Sequence, residues 1–177
     1  MKFGTWSTRD LAVIGVLAAL SRALGLITVF ALGGMNPLSL SLRAMIITVL
    51  FIVLRIKVRV FGTLVLATAI GSLTSFFIMA RGITSLPLVL LCALIAEIII
   101  VYIGQNKVWA IIIVTSLLGV LEKAVSLLFM YLSMREAPAM MWPIVFLTAI
   151  SSIGDLIALF IAPRFVKELR HAGFINA

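Results

Sequence analysis

Six charged residues lie inside long apolar segments of this 177-residue chain and are its first candidates for chemistry. They are three cations and three acids: Arg22, Arg43, Lys123, Glu97, Glu122 and Asp155. A charge near the centre of a bilayer costs roughly 2.5 to 3.5 kcal/mol on insertion scales, so these side chains are expected to face away from lipid. They either pair with one another and fix the helix packing, or they line a polar pocket between helices.

Small and polar residues recur at helical spacing around two of these charges. One face of the fifth apolar segment carries Ser116, Gly119, Lys123 and Ser126, and one face of the sixth carries Thr148, Ser151, Ser152 and Asp155. The two stripes either line one cavity or only hydrogen-bond the helices together. Glu122 and Lys123 are adjacent and point about 100 degrees apart on a helix. We therefore assign Lys123 to the cavity and expect Glu122 to pair with a neighbouring helix.

Residues for covalent catalysis or metal binding are missing from the apolar segments. The only histidine, His171, lies near the C-terminus, and the only cysteine, Cys92, has no CxxC partner. The motifs GxSxG, HExxH and GxxxxGK[ST] do not occur. We therefore expect no enzyme activity, no cofactor and no metal site. Energy for uphill transport would have to come from a partner protein or an ion gradient.

The composition indicates that a membrane positions these residues. Hydrophobic residues make up 64% of the chain and charged residues 11%, less than half the charged share of an ordinary soluble domain. The sequence predicts an all-α bundle of six transmembrane helices in a single domain, residues 1–177. The predicted spans are 11–32, 38–54, 60–79, 86–104, 108–132 and 142–162. We interpret the first as a retained helix, because no small-residue cleavage site followed by a soluble chain ends it.

Lys and Arg residues outside these spans are distributed unevenly. With the N-terminus inside, external loops hold two of them, Arg81 and Arg135, and cytoplasmic segments hold nine: Lys2, Arg9, Arg55, Lys57, Arg59, Lys107, Arg164, Lys167 and Arg170. This bias predicts that both termini are cytoplasmic. The net charge of +8 is then a topology signal, and no nucleic-acid partner is expected. Arg43, Arg81 and Lys123 lie toward the outside, where they would suit a carboxylate or phosphate, although the six intramembrane charges cancel formally.

A strip of small residues runs along the first span. Gly15, Ala19 and Ala23 recur every four residues and allow another helix to approach closely. The approaching helix could belong to this chain, which is the ordinary use of such a pattern, or to another protein.

The segment Thr8-Arg9-Asp10-Leu11-Ala12-Val13-Ile14-Gly15-Val16-Leu17-Ala18-Ala19-Leu20 resembles the first helix of the substrate-binding S components of energy-coupling factor (ECF) transporters. Those proteins are similar in size, hydrophobicity and helix number, and they commonly carry an AxxxA motif in this helix. Gly15 and Ala19 fall on the motif, with glycine in place of the first alanine.

The resemblance implies a function, a location and a set of partners. An S component lies in the prokaryotic plasma membrane and binds a vitamin or related micronutrient in a pocket that opens outward. It docks on a transmembrane coupling protein that is joined to two cytoplasmic ATPases. Gly15, Ala19 and Ala23 would then form part of the docking surface.

The resemblance also suggests where the substrate binds, because helices four to six and the external loops build the pocket in that family. Transferred by position, the candidate substrate-binding residues are Gly34, Asn36, Arg81, Glu97, Lys123, Trp142 and Asp155. Asp155 could instead be structural, and Trp142 could be an interfacial anchor.

Two other functions are compatible with the sequence. A self-contained ion-coupled carrier or channel would use Glu97, Glu122 and Asp155 to relay protons or cations. A scaffold or assembly factor would use the intramembrane charges only to hold its own helices together.

Overall fold

The computed structural model describes residues 6–34, 36–79, 86–105, 107–133 and 141–174 of the chain. These residues form six α-helices: α1 (Thr8–Ala31), α2 (Pro37–Lys57), α3 (Thr63–Met79), α4 (Leu86–Ile103), α5 (Val108–Ser133) and α6 (Met141–His171). No strand occurs among them. The all-α prediction is therefore confirmed.

Five helices of the described chain are long and apolar enough to cross a membrane: α1, α2, α4, α5 and α6. α3 is shorter, with 17 residues. Large apolar side chains are exposed on the outer surface of the bundle, among them Phe30, Tyr102 and Phe160. An apolar exterior of this kind is typical of a protein that lipid surrounds.

Local sequence explains where α1 and α2 begin. The Ser7 hydroxyl accepts a hydrogen bond from the Arg9 N–H at 3.1 Å, and the Asp10 carboxylate accepts one from the Ser7 N–H at 3.2 Å. Asn36 caps α2 in the same way, and Pro37 follows at the first helical position. Each cap satisfies N–H groups that the first helical turn leaves without partners.

α6 continues nine residues beyond the predicted end of the sixth span at 162, with Pro163 inside it. The extension is charged on its exposed side, but Ala158, Ala162 and Val166 are buried at successive helical turns. Packing of this face against the bundle sustains the helix after the apolar segment has ended.

The helices form a ring in which neighbours in contact follow the order α1, α2, α6, α5, α4, α3 and back to α1, while α2 and α5 also touch across the ring. α2 contacts four other helices and supplies much of the core. Its C-terminal half, from Phe51 to Ile56, is continuously buried. Its N-terminal half is only partly buried, because a cavity lies beside it.

α2 and α6 approach each other most closely at Gly154. A Cβ atom built on Gly154 would collide with the Ser41 carbonyl oxygen and would lie 3.1 Å from the Ala44 Cβ. The absence of a side chain at this position therefore sets the spacing of the two helices.

We predict that Gly154→Ala destabilises the protein by about 1 to 3 kcal/mol, because the added methyl group overpacks the contact between α2 and α6. The matched control is Gly15→Ala on α1, where an added Cβ meets nothing within 4 Å. This control should leave stability unchanged or raise it by about 0.5 to 1 kcal/mol through helix propensity. Thermal unfolding in detergent measures both variants, and equal effects would contradict the assigned helix contact.

Candidate functional site

A cavity of about 250 Å³ lies between α1, α2, α5 and α6. Its lining residues lie near the middle of these helices. Five charged side chains line it: Arg22, Arg43, Glu122, Lys123 and Asp155. Their formal charges give an excess of one positive charge.

Asp155 and Lys123 form an ion pair at the α5–α6 side of the cavity. The Thr48 hydroxyl donates a hydrogen bond to Asp155 Oδ1 at 2.7 Å, and Lys123 Nζ donates one to the Ser151 carbonyl at 2.9 Å. The Asp155 side chain is only 2% exposed, whereas that of Lys123 is 25% exposed. The pair thus links α2, α5 and α6 around a buried carboxylate.

Gly119 makes room for this carboxylate. A Cβ built on Gly119 would lie 2.8 Å from Asp155 Cγ, too close for any real side chain. The structure thus brings together residues from both predicted polar stripes: Gly119, Lys123, Ser126, Ser151 and Asp155 line the cavity. The other three stripe residues, Ser116, Thr148 and Ser152, are not in its wall.

Glu122 lines the cavity as well, contrary to the expectation that only one of the adjacent charges on α5 would. The Thr68 hydroxyl of α3 donates a hydrogen bond to Glu122 Oε1 at 3.5 Å. Glu122 therefore does contact a neighbouring helix, as expected, but it also faces the cavity. The reason is that the cavity extends across two adjacent faces of α5.

Arg22 and Arg43 complete the wall from α1 and α2. Arg22 Nε is buried with no hydrogen-bond partner in the described part of the chain. The stem of Arg43 packs over Gly25, where an added Cβ would lie 3.1 Å from Arg43 Cγ. Within the described ranges, neither arginine forms an ion pair with a carboxylate. Neither was among the predicted substrate-binding residues, although their position inside apolar segments was a signal for both.

Glu97 lies in a second charged cluster and does not line the cavity. Glu97 Oε2 lies 3.1 Å from Arg55 Nη2, and both side chains are 0% exposed. Glu97 Oε1 accepts a hydrogen bond from the Leu64 N–H at 2.7 Å, in the first turn of α3. Arg55 Nη1 donates to the Val58 carbonyl at 3.1 Å. This cluster fastens the α2–α3 connection to α4.

Arg55, which the sequence assigns to a cytoplasmic segment, lies in the last turn of α2 with its side chain buried. The helix continues past the predicted end of the second span at 54, because Glu97 of α4 supplies a buried countercharge.

Gly34 and Asn36 lie in the α1–α2 turn. Gly34 has a φ of 108°, which favours glycine. The Asn36 side chain donates to the Leu32 carbonyl at 2.6 Å and accepts from the Ser39 N–H at 2.8 Å. The side-chain nitrogen and oxygen of Asn36 therefore both stabilise the turn.

Trp142 lies at the start of α6 and is 79% exposed. It borders an apolar groove between α5 and α6 with Leu128 and Tyr131, apart from the charged cavity. Arg81, the remaining candidate, lies outside the described residues.

The small-residue strip of α1 faces outward. Ala19 and Ala23 are exposed, and no atom of the described chain lies within 4 Å of a Cβ built on Gly15. α1 packs on its neighbours through a different set of residues: Ile14, Ala18, Ser21, Gly25 and Val29. The strip is therefore not used for packing among the described helices.

No group of three or more His, Cys, Asp or Glu side chains that could hold a metal ion occurs in the described ranges. The cavity instead presents guanidinium, ammonium and carboxylate groups beside apolar side chains of α2 and α5. Such an arrangement can bind and orient a small polar solute through charge-assisted hydrogen bonds.

We predict that removing either partner of the Arg55–Glu97 pair destabilises the protein by about 3 to 5 kcal/mol, because one buried charge is left uncompensated. Arg55→Met and Glu97→Gln are the single variants, and the double variant should recover much of the loss. Unfolding in detergent measures the cycle, and additive effects would contradict the pairing. Unchanged folding with weakened retention of a solute in Glu97→Gln would instead support the predicted binding role of Glu97.

Known proteins offer no direct guide to this site. No protein-family model, curated protein or solved structure matches the chain. The resemblance to S components therefore rests on the α1 segment and the general architecture.

Proposed function

We propose that this protein is a membrane-embedded binding subunit for a small organic solute, a vitamin or related micronutrient. The observation that carries the proposal is the cavity of about 250 Å³ lined by five charged side chains. A scaffold would need its charges only in pairs such as Arg55–Glu97, with no space beside them. Two arginines without ion-pair partners among the described residues, facing an open cavity, favour a ligand over a purely structural role.

The size and lining of the cavity suit a small solute. Pockets for drug-sized ligands have volumes of roughly 300 to 1,000 Å³, so this cavity is slightly below that range. Apolar side chains such as Ile47 and Phe51 share its wall with the charged groups. A compact molecule with a polar end and an apolar body would satisfy both kinds of surface.

We further propose six membrane crossings with both termini in the cytoplasm of a prokaryotic cell. The supporting observation is the excess of Lys and Arg in the segments assigned to the cytoplasm. In this orientation the α1–α2 turn is external, and the cavity lies near the bilayer midplane. A solute would then enter from outside the cell.

The proposed energy source is an ECF module, a transmembrane coupling protein with two cytoplasmic ATPases. Its docking site on this chain would include Gly15, Ala19 and Ala23. The outward orientation of this strip supports the assignment, since no described helix covers it.

Cysteine labelling tests the topology. In a Cys92→Ala background, Thr8→Cys and His171→Cys should react with a membrane-impermeant maleimide only after permeabilisation, whereas Trp142→Cys should react in intact cells. All three side chains are exposed, and none of the substitutions changes a Lys or Arg. Reaction of Thr8→Cys and His171→Cys from opposite sides would mean that α3 does not cross the membrane.

Analysis of the retained solute tests the function. The full-length protein, purified in mild detergent and denatured, should release one small molecule in near-stoichiometric amount, detected by mass spectrometry. Ser126→Phe fills the cavity from α5 and should lower the retained amount at least about tenfold. Leu117→Phe, on the exposed face of α5, is the matched control and should retain the wild-type amount.

A self-contained ion-coupled carrier is the second candidate. It is favoured by the arrangement of Glu122, Lys123 and Asp155 on one cavity, which offers groups that could carry a proton. Uptake into liposomes by this protein alone, abolished when an ionophore removes the gradient, would select the carrier. Uptake only when the ATPase module is present would select the binding subunit.

A further inference from the structure

The charges that face the cavity do not balance one another. Lys123 and Asp155 are paired, and both oxygens of Asp155 are occupied, by Lys123 and by Thr48. What remains is Glu122 against Arg22 and Arg43. Among the described residues, one positive charge is left over at a depth where a charge is expensive.

Glu122 interacts electrostatically more strongly with Arg22 than with Arg43. Arg22 and Glu122 attract each other electrostatically, whereas Arg22 and Arg43 repel. Arg43 lies farther along α2, toward the α1–α2 turn, and forms no ion pair with a carboxylate of the described chain. The uncompensated charge is therefore centred on Arg43, with the buried Arg22 Nε also lacking a hydrogen-bond partner among the described residues.

Guanidinium groups are well suited to bind the oxyacid groups of small molecules. Their planar N–H groups match the spacing of carboxylate and phosphate oxygens and form two parallel hydrogen bonds. Lys123 is less available for this task, because Asp155 and the Ser151 carbonyl already accept from its ammonium group. Apolar side chains in the same cavity wall include Ile47, Phe51 and Leu118.

From this arrangement we propose that the cavity binds a small organic anion, whose carboxylate or phosphate group lies between Arg22 and Arg43 and whose apolar part contacts Ile47, Phe51 and Leu118. This inference rests on the proposed solute-binding function and specifies its substrate class. A singly charged anion supplies one negative charge, so that the charges of the described cavity residues and the anion sum to zero. The Lys123–Asp155 pair holds the wall in place and is not itself the anion site.

A competitive retention experiment tests the substrate class. The full-length protein in lipid nanodiscs is incubated with a defined mixture of small carboxylates, phosphate esters, neutral amides and amines of similar mass. After washing and denaturation, mass spectrometry quantifies what each variant retains. The wild type should retain a carboxylate or a phosphate ester and exclude the neutral and cationic compounds.

Arg43→Gln should weaken binding of the retained anion about 10- to 100-fold, the loss expected for one charge-assisted contact. Arg43→Lys keeps the positive charge but not the planar N–H groups of the guanidinium, and it should give an intermediate loss of affinity. The matched control is Arg164→Gln on the exposed surface of α6, which should bind like the wild type.

The outcomes separate this inference from the proposed function. Retention of a neutral or cationic compound would overturn the anion assignment while leaving solute binding intact. Retention of an anion equally by the wild type and Arg43→Gln would overturn the assigned site. Retention of nothing, from any class, would count against the proposed function and this inference together.

Stability of the empty protein gives a readout that needs no identified ligand. Because no carboxylate of the described chain forms an ion pair with Arg43, Arg43→Gln should leave the unfolding temperature unchanged or raise it. Inorganic phosphate, compared with chloride at equal ionic strength, should stabilise the wild type more than Arg43→Gln. Glu136 is an acidic residue outside the described ranges. If Glu136→Gln destabilises the protein and Arg43→Gln relieves that loss, Arg43 belongs to an ion pair within the chain and the proposal is overturned.

Discussion

The high free energy of a bare charge in an apolar medium constrains the whole of this bundle. Every ionised side chain inside it needs an opposite charge or several hydrogen bonds nearby, since lipid supplies neither. The Arg55–Glu97 pair satisfies that requirement at one end of the bundle and fastens three helices together in doing so. The Lys123–Asp155 pair does the same near the middle, and the Thr48 hydroxyl donates a hydrogen bond to the carboxylate.

Between these pairs, small residues decide where helices can come close and where space remains. Gly154 allows α2 to touch α6, and Gly119 leaves room for the Asp155 carboxylate. α2 is packed along its C-terminal half and borders the cavity along its N-terminal half. One helix thus serves both as the core of the bundle and as a wall of the candidate site, so stability and binding are linked through it.

Much of the fold could be predicted from the sequence, because long apolar segments and their Gly, Pro and Asn boundaries are local signals. The ends of α2 and α6 were exceptions, because both helices continue past their predicted spans. Glu97, the partner of Arg55 in α2, lies 42 positions away in the chain and on another helix, and Val166 in the extension of α6 is buried against the bundle. The same limit applies to the candidate site. The polar stripes identified Lys123 and Asp155, but the order of helices around the ring decides that Arg22 and Arg43 face the same space and that Glu97 does not. Helical periodicity within one segment carries no information on that order.

The α1–α2 turn, closed by hydrogen bonds around Asn36, joins the two helices that carry Arg22 and Arg43. The Lys123–Asp155 pair belongs to α5 and α6, the other two helices of the cavity wall. Arg22 and Arg43, which have no ion-pair partner in the described chain, thus lie on one hairpin. The paired charges, Lys123 and Asp155, lie on the other. Substitutions on the α1–α2 hairpin that keep Thr48 can therefore suit the cavity to a different molecule without removing a hydrogen bond of the Lys123–Asp155 pair.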